Sequence, residues 1–174
     1  MATGIVALSF AKRAKEPNPV NKRISKITDD INDGLQSMGE TVVLVAQWEI
    51  ALALPKNSAL VVTQNSATEK GGKLYLDSDD VLNMAYPAFK AANVTDVVVV
   101  ANRFIHLGVV RAKVRKAGFR VIKVGIPAVG FDPSPLNLQW WCKGPIRLVT
   151  YLGLQVVGKV TGRNFHGIGE KAAQ

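Results

Sequence analysis

Three polar side chains stand directly behind the most apolar run of the chain. Val97-Val98-Val99-Val100-Ala101 gives way to Asn102-Arg103-Phe104-Ile105-His106. An amide, a guanidinium and an imidazole so close together can hydrogen-bond, pair with an anion and move a proton near neutral pH. Asn102 and Arg103 are expected to contact the polar or phosphate part of a ligand. His106 is the candidate catalytic residue, as acid, base or ligand-binding group. The competing reading makes it a helix-start histidine bonded to backbone. Spacing assigns it no Ser or Cys nucleophile, so a triad is not supported. A hydrolase or transferase would have to pair it with a carboxylate such as Glu49 or Asp80.

Other residues can extend that chemistry. Lys12 and Arg13 follow the first apolar segment and can supply charge to a phosphate, or form a solvated basic loop. No Gly-x-Gly-x-x-Gly stands there; Ser9-Phe10-Ala11-Lys12-Arg13 does, so the usual backbone cradle for a pyrophosphate is not encoded. Glu49 ends a second apolar segment, where a carboxylate can accept hydrogen bonds from ribose hydroxyls. It is equally placed to open a short helix. Asp77-Ser78-Asp79-Asp80 can present oxygens to a divalent cation. Helix capping accounts for the same cluster without a ligand and is the reading preferred here, so no metal is expected. Ser78 and Asp80 remain candidate ligand contacts. Trp140-Trp141 can stack on a base, but such pairs more often lock a loop onto a core. Cys142 is the only cysteine, which excludes an internal disulfide and a multi-cysteine zinc site. Beside two tryptophans it is expected to be packed. His166 lies in a glycine-rich stretch.

The elements that must position these residues follow from hydrophobic periodicity. Strands are predicted over 4–10, 41–46, 59–63, 94–101 and 119–124. Ile24, Ile27, Ile31, Leu35 and Met38 mark one face of a helix capped by Asn21 and stopped at Gly39. Trp48 to Leu54 reads as a short helix and 64–73 as a surface loop. A helix capped by Ser78 carries Leu82, Ala85, Tyr86 and Phe89 inward, and Pro87 should kink or break it near Tyr86. The helix after His106 turns Val110, Val114 and Ala117 inward and basic residues outward. Residues 125–144 are irregular. A last helix begins at Pro145, with Ile146, Val149, Leu152 and Val156 as its apolar face.

Alternation of strands and helices means an α/β fold, a three-layer Rossmann-like sandwich with a mostly parallel sheet of about five strands. The 174 residues fit one domain over 1–163 with a loose tail at 164–174. The hydrophobic fraction of 48% is that of a globular protein, which excludes a disordered chain. No apolar run spans a bilayer and the N-terminus lacks a charged leader, so a cytoplasmic location is expected. A net charge of +9 favours an anionic partner.

Several of these segments resemble one family. The apolar strand, polar turn, aromatic residue, His106, basic helix and Ala117-Gly118-Phe119 resemble the YdcF/SanA/ElyC-type domain of unknown function. Glu49-Ile50-Ala51 looks like the family's Glu-Ala element, and Asp77-Ser78-Asp79-Asp80 like its Thr-x-Glu-Asn helix start. Tyr151-Leu152-Gly153-Leu154 with Thr161-Gly162-Arg163 resembles its terminal helix. The chain departs from the family where glycine pairs are usual: Ser9-Phe10-Ala11-Lys12 and Ala46-Gln47-Trp48 stand instead. Val109 occupies the place of a common arginine. The resemblance implies a Rossmann-like fold. One member type is associated with S-adenosylmethionine, and others, which carry a membrane anchor, with envelope maintenance.

The leading expectation is therefore a small anionic or nucleotide-type ligand, S-adenosylmethionine among them, at the carboxyl edge of the sheet. Glu49 would take ribose hydroxyls, Asn102, Arg103 and His106 the polar part, and Lys12 and Arg13 would close over it. A rival is nucleic-acid binding through Arg111, Lys113, Arg115, Lys116 and Arg120, with its steep salt dependence.

Overall fold

The computed structural model describes residues 2–13, 16–55, 59–62 and 76–161. The predicted loop over 64–73, His166 and the tail at 164–174 lie outside the described residues. Strands β1 (Ala2–Ala7), β2 (Thr41–Gln47), β3 (Leu60–Val62), β4 (Asp96–Val100) and β5 (Arg120–Ile122) form one sheet in the order β3-β2-β1-β4-β5. Every pairing is parallel. Helices α1 (Pro19–Ser37), α2 (Trp48–Ala51), α3 (Ser78–Ala91), α4 (His106–Lys116) and α5 (Pro145–Thr161) complete the fold, with a 3₁₀ turn at Trp140–Lys143. The architecture is the three-layer, Rossmann-like sandwich that alternation predicts.

Central strands of a parallel sheet are covered on both faces and read as continuous apolar runs. Ile5, Val6 and Ala7 of β1, and Val97 through Val100 of β4, are fully buried. On one face α1 packs against β1, β2 and β4; α3 packs on β1 and β2, and α4 on β4 and β5. Gly4 marks the α3 face, since a Cβ there would lie 2.9 Å from the Phe89 ring. Register then sets the site. Ala7 pairs with Ala46 on one side and Val100 on the other, so the chain leaves all three strands at one level. Order reverses between β1 and β4, the switch point where open α/β sheets bind ligands.

Several boundaries differ from expectation. β1 ends at Ala7 rather than residue 10, because the chain turns away through Ala11, whose φ is +71°. Asn18, not Asn21, caps α1; Pro19 supplies a fixed φ and no donor at the first helical position, so the helix starts earlier. Asn18 accepts the Asn21 N–H at 2.9 Å. The cap of α3 is Asp77, not Ser78, in a reciprocal box with Asp80. Helix α3 does not break near Tyr86 but runs through Pro87 to Ala91. The carbonyl that Pro87 leaves unbonded belongs to Asn83, and both residues are exposed, so water can take its place.

The largest difference lies in α5. The predicted inner face is the outer one: Ile146 is 81% exposed and Val149 68%. Leu148 is buried instead, and Tyr151 stacks on Trp141 with ring centroids 4.7 Å apart. Two apolar stripes compete for the domain in this helix, and the aromatic stack decides between them.

Candidate functional site

The loop leaving β1 is held by side-chain amides. Ser9 N–H donates to Gln47 Oε1 at 3.1 Å and Phe10 N–H to Asn21 Oδ1 at 2.8 Å. The Ala11 carbonyl accepts from Asn18 Nδ2 at 2.8 Å and from Asn21 Nδ2 at 3.0 Å. These residues are all buried. In a glycine-rich loop the corresponding N–H groups are free to cradle a phosphate. Here the N–H groups of Ser9 and Phe10 are already bonded within the protein.

Glu49 opens α2 directly behind β2 and is buried. Burial pushes its carboxyl up to about 7 against the opposing pull of its own backbone N–H, the Lys12 charge and a hydrogen bond with Ser9. Its Oε2 is buried with no partner among the described residues. A carboxyl in that state exchanges a proton near neutral pH and can still accept or donate a hydrogen bond.

On the other side of β1, Asn102 organises the turn after β4. Its Oδ1 accepts the Phe104 N–H at 2.9 Å, and its carbonyl accepts from the N–H of His106 at 3.1 Å and of Leu107 at 3.0 Å. Asn102 Nδ2 is buried and unpartnered among the described residues, and so is His106 Nδ1. The His106 and Phe10 rings form a T-shaped contact. Burial, helped by the Lys113 charge, lowers the imidazole to about 4, so it is neutral at pH 7. Arg103 is exposed, its guanidinium 5.7 Å from the Phe104 ring centre.

The connection from β5 to α5 forms a third wall. Phe131 meets the Phe10 ring at 5.9 Å, and Leu138 N–H donates to the Lys12 carbonyl at 2.8 Å. Gln139 Nε2 is a further buried, unpartnered donor among the described residues. Trp140 and Trp141 lock this loop onto α5 through Tyr151. Cys142 is buried and burial raises its thiol, so it is packed rather than reactive.

Lys12, Glu49, Asn102 and His106 thus gather around one loop. Glu49 bonds Ser9 from the β2 side and His106 touches Phe10 from the β4 side. Arg13 takes a different part: its Nε and Nη2 each lie 2.9 Å from the buried Asp132 carboxylate. Ser78 and Asp80 stand at the start of α3. Asp80 accepts the Asp77 N–H at 3.0 Å, and Ser78 Oγ accepts from Lys113 at 3.3 Å. The bonds that Asn18, Asn21, Gln47 and Asp132 make to this loop escaped the sequence reading, which gave Asn21 only a capping role, although Pro17-Asn18-Pro19 is a turn signal that points to Asn18. An open depression bordered by Lys90, Thr95 and Arg120 lies at the opposite, amino-terminal edge of the sheet, away from these residues.

No family model, curated protein or solved structure matches the chain.

Proposed function

We propose that the chain binds a small nucleotide-type ligand at the carboxyl edge of the sheet, around the β1 loop. One observation carries this reading: Glu49 Oε2, Asn102 Nδ2 and His106 Nδ1 are buried polar atoms without partners among the described residues, behind three strands that end at one level. An unmade hydrogen bond at a buried group costs about 1–3 kcal/mol, so three together favour a ligand that completes them. A carboxyl near its own pKa, an amide donor and a neutral imidazole suit hydroxyl and amide groups better than a phosphate. Ribose and base edges fit that description. Lys12 and Arg103 supply the cationic contacts for a phosphate or carboxylate at the rim, while Arg13 braces the loop from behind. The resemblance to the YdcF/SanA/ElyC-type domain points the same way and puts S-adenosylmethionine in the candidate set.

Thermal unfolding with adenosine, AMP and S-adenosylmethionine tests the reading. A ligand at 100 times its Kd adds about 2.7 kcal/mol, and Glu49→Gln should weaken that ligand at least tenfold. If none of the three raises the Tm, the proposal fails.

The nucleic-acid reading gains no such support. Of its five basic residues, Arg111 donates to the Val124 carbonyl, Lys113 pairs with Asp79 and Arg120 with Asp96. Paired acid–base chemistry between His106 and a carboxylate also lacks a supporting contact. Glu49 approaches the loop from the other side, and Asp80 is engaged in its cap.

A further inference from the structure

We propose that the outward face of α5 docks the domain on an anionic phospholipid surface, lying in the interface rather than crossing it. The inference is independent of the ligand site. Ile146, Val149, Leu152, Val156, Val157 and Val160 are all exposed large apolar residues on this one helix, and Val160 is 82% exposed. At 100° per residue they fall within an arc of about 140°. Scattered exposed apolar residues need no explanation, but a continuous stripe along the whole length of a helix marks an interaction surface. The opposite side of α5 is fastened to the domain by Leu148 and by Tyr151 on Trp141, so the stripe is held outward.

Charge selects the occupant. From Pro133 to Gly169 the sequence holds Lys143, Arg147, Lys159 and Arg163 and no Asp or Glu. An apolar stripe on a helix whose only charges are positive is the pattern of an interfacial helix drawn to anionic headgroups. Each basic residue near such a surface strengthens binding about fivefold, from about 1 kcal/mol apiece. A second copy of this chain is a poorer partner. It brings the same net charge of +9 and another α5 without a carboxylate, whereas paired helices use opposite charges beside their apolar seam. No helix among the described residues is long and apolar enough to cross a membrane, which leaves the in-plane arrangement.

The test is co-sedimentation of the full chain with vesicles of equal parts phosphatidylcholine and phosphatidylserine. Binding is expected to fall at least tenfold on phosphatidylcholine alone and to weaken as salt is added. The triple variant Ile146→Asp, Val149→Asp, Val160→Asp should lose binding at least a hundredfold while keeping the wild-type Tm, because none of the three is buried. Tyr151→Ala serves as a second variant: it loosens the helix from the domain but keeps the stripe, so vesicle binding should survive. Failure of the wild-type chain to sediment with the mixed vesicles overturns the proposal. So does equal sedimentation of the triple variant. A wild-type dimer that the triple substitution converts to a monomer, without vesicle binding, assigns the stripe to a second copy and overturns it equally.

Discussion

The Phe10 ring and the His106 imidazole meet in a T-shaped contact, with ring centroids 6.3 Å apart and planes at 78°. An apolar ring against an imidazole displaces the water that would solvate an imidazolium, so the contact favours the neutral form. Phe10 owes its place to the Asn21 side chain that takes its N–H. The state of His106 therefore depends on the first turn of α1, far away in sequence.

The two titrating groups of the site should have opposite effects on stability. His106 has a folded value of about 4 against 6.5, so the unfolded chain binds its proton first; stability from this group is complete above pH 6.5 and is lost as pH falls toward 4. Glu49 has a folded value of about 7 against 4.5, so the folded chain holds its proton longer, and stability falls as pH rises from 4.5 to 7. Each effect is on the order of 2–3 kcal/mol, the smaller for the half-buried histidine. The wild-type profile should be nearly flat across this range. Glu49→Gln should make stability rise with pH, and His106→Gln should make it fall. Urea unfolding at several pH values reads all three. Parallel profiles would mean that neither group titrates in this window.

Arg13 and Asp132 tie the β1 loop to the wall before α5. Two parallel bonds of 2.9 Å reach a carboxylate that is buried, so removing one partner strands the other. Asp132→Ala is expected to cost about 3 kcal/mol. The double variant with Arg13→Met should cost at least about 1 kcal/mol less than the sum of the single changes. Chemical denaturation of the four proteins closes the cycle. Simple additivity would show that the pair is solvated and contributes nothing jointly.

Pattern alone exposes the sheet because a doubly covered strand leaves a long apolar run, as Val97 to Val100 does. It also marks the strand ends, which is how Glu49, Asn102 and His106 stand out. It does not show which side of a helix faces inward when both are apolar, and Ile146 and Leu148 of α5 change places for that reason. Nor does it reveal a partner 119 residues away, so Arg13 reads as a free cation until Asp132 is seen against it. Asn21 reads as the cap that Asn18 in fact supplies, because a local rule weighs a residue only against its own helix. Their tertiary duty, holding the Ala11 carbonyl, has no local signature.

That duty makes Asn21 a sensitive position. Truncation to Ala leaves the buried Phe10 N–H without its acceptor and removes one of two donors to the Ala11 carbonyl. The expected loss is about 2–4 kcal/mol, since an orphaned buried group costs about 1–3 kcal/mol and more than one bond is broken. Asn21→Asp keeps the acceptor but sets a buried carboxylate oxygen against the Ala11 carbonyl, so at neutral pH it should cost at least as much. Differential scanning calorimetry compares both variants with the wild type. An alanine variant as stable as the wild type would mean that the Phe10 bond contributes little.

Gly4 sits in the middle of β1 beneath the Phe89 ring of α3. An added Cβ would lie 2.9 Å from Phe89 Cε1 and 3.0 Å from Cδ1. The ring is fully buried and packs edge-on to Phe119 at 5.8 Å, so it has no free space to enter. Elsewhere in a strand, Gly→Ala is favourable because it removes backbone freedom from the unfolded chain. Here overpacking should win, with Gly4→Ala destabilising by about 1–3 kcal/mol. Phe89→Leu alone should also destabilise, by leaving a gap against Phe119. Combined, the smaller leucine makes room for the methyl group, so the double variant should be more stable than Gly4→Ala alone. Thermal melts of the four proteins decide it: a double variant no more stable than Gly4→Ala would place the clash elsewhere.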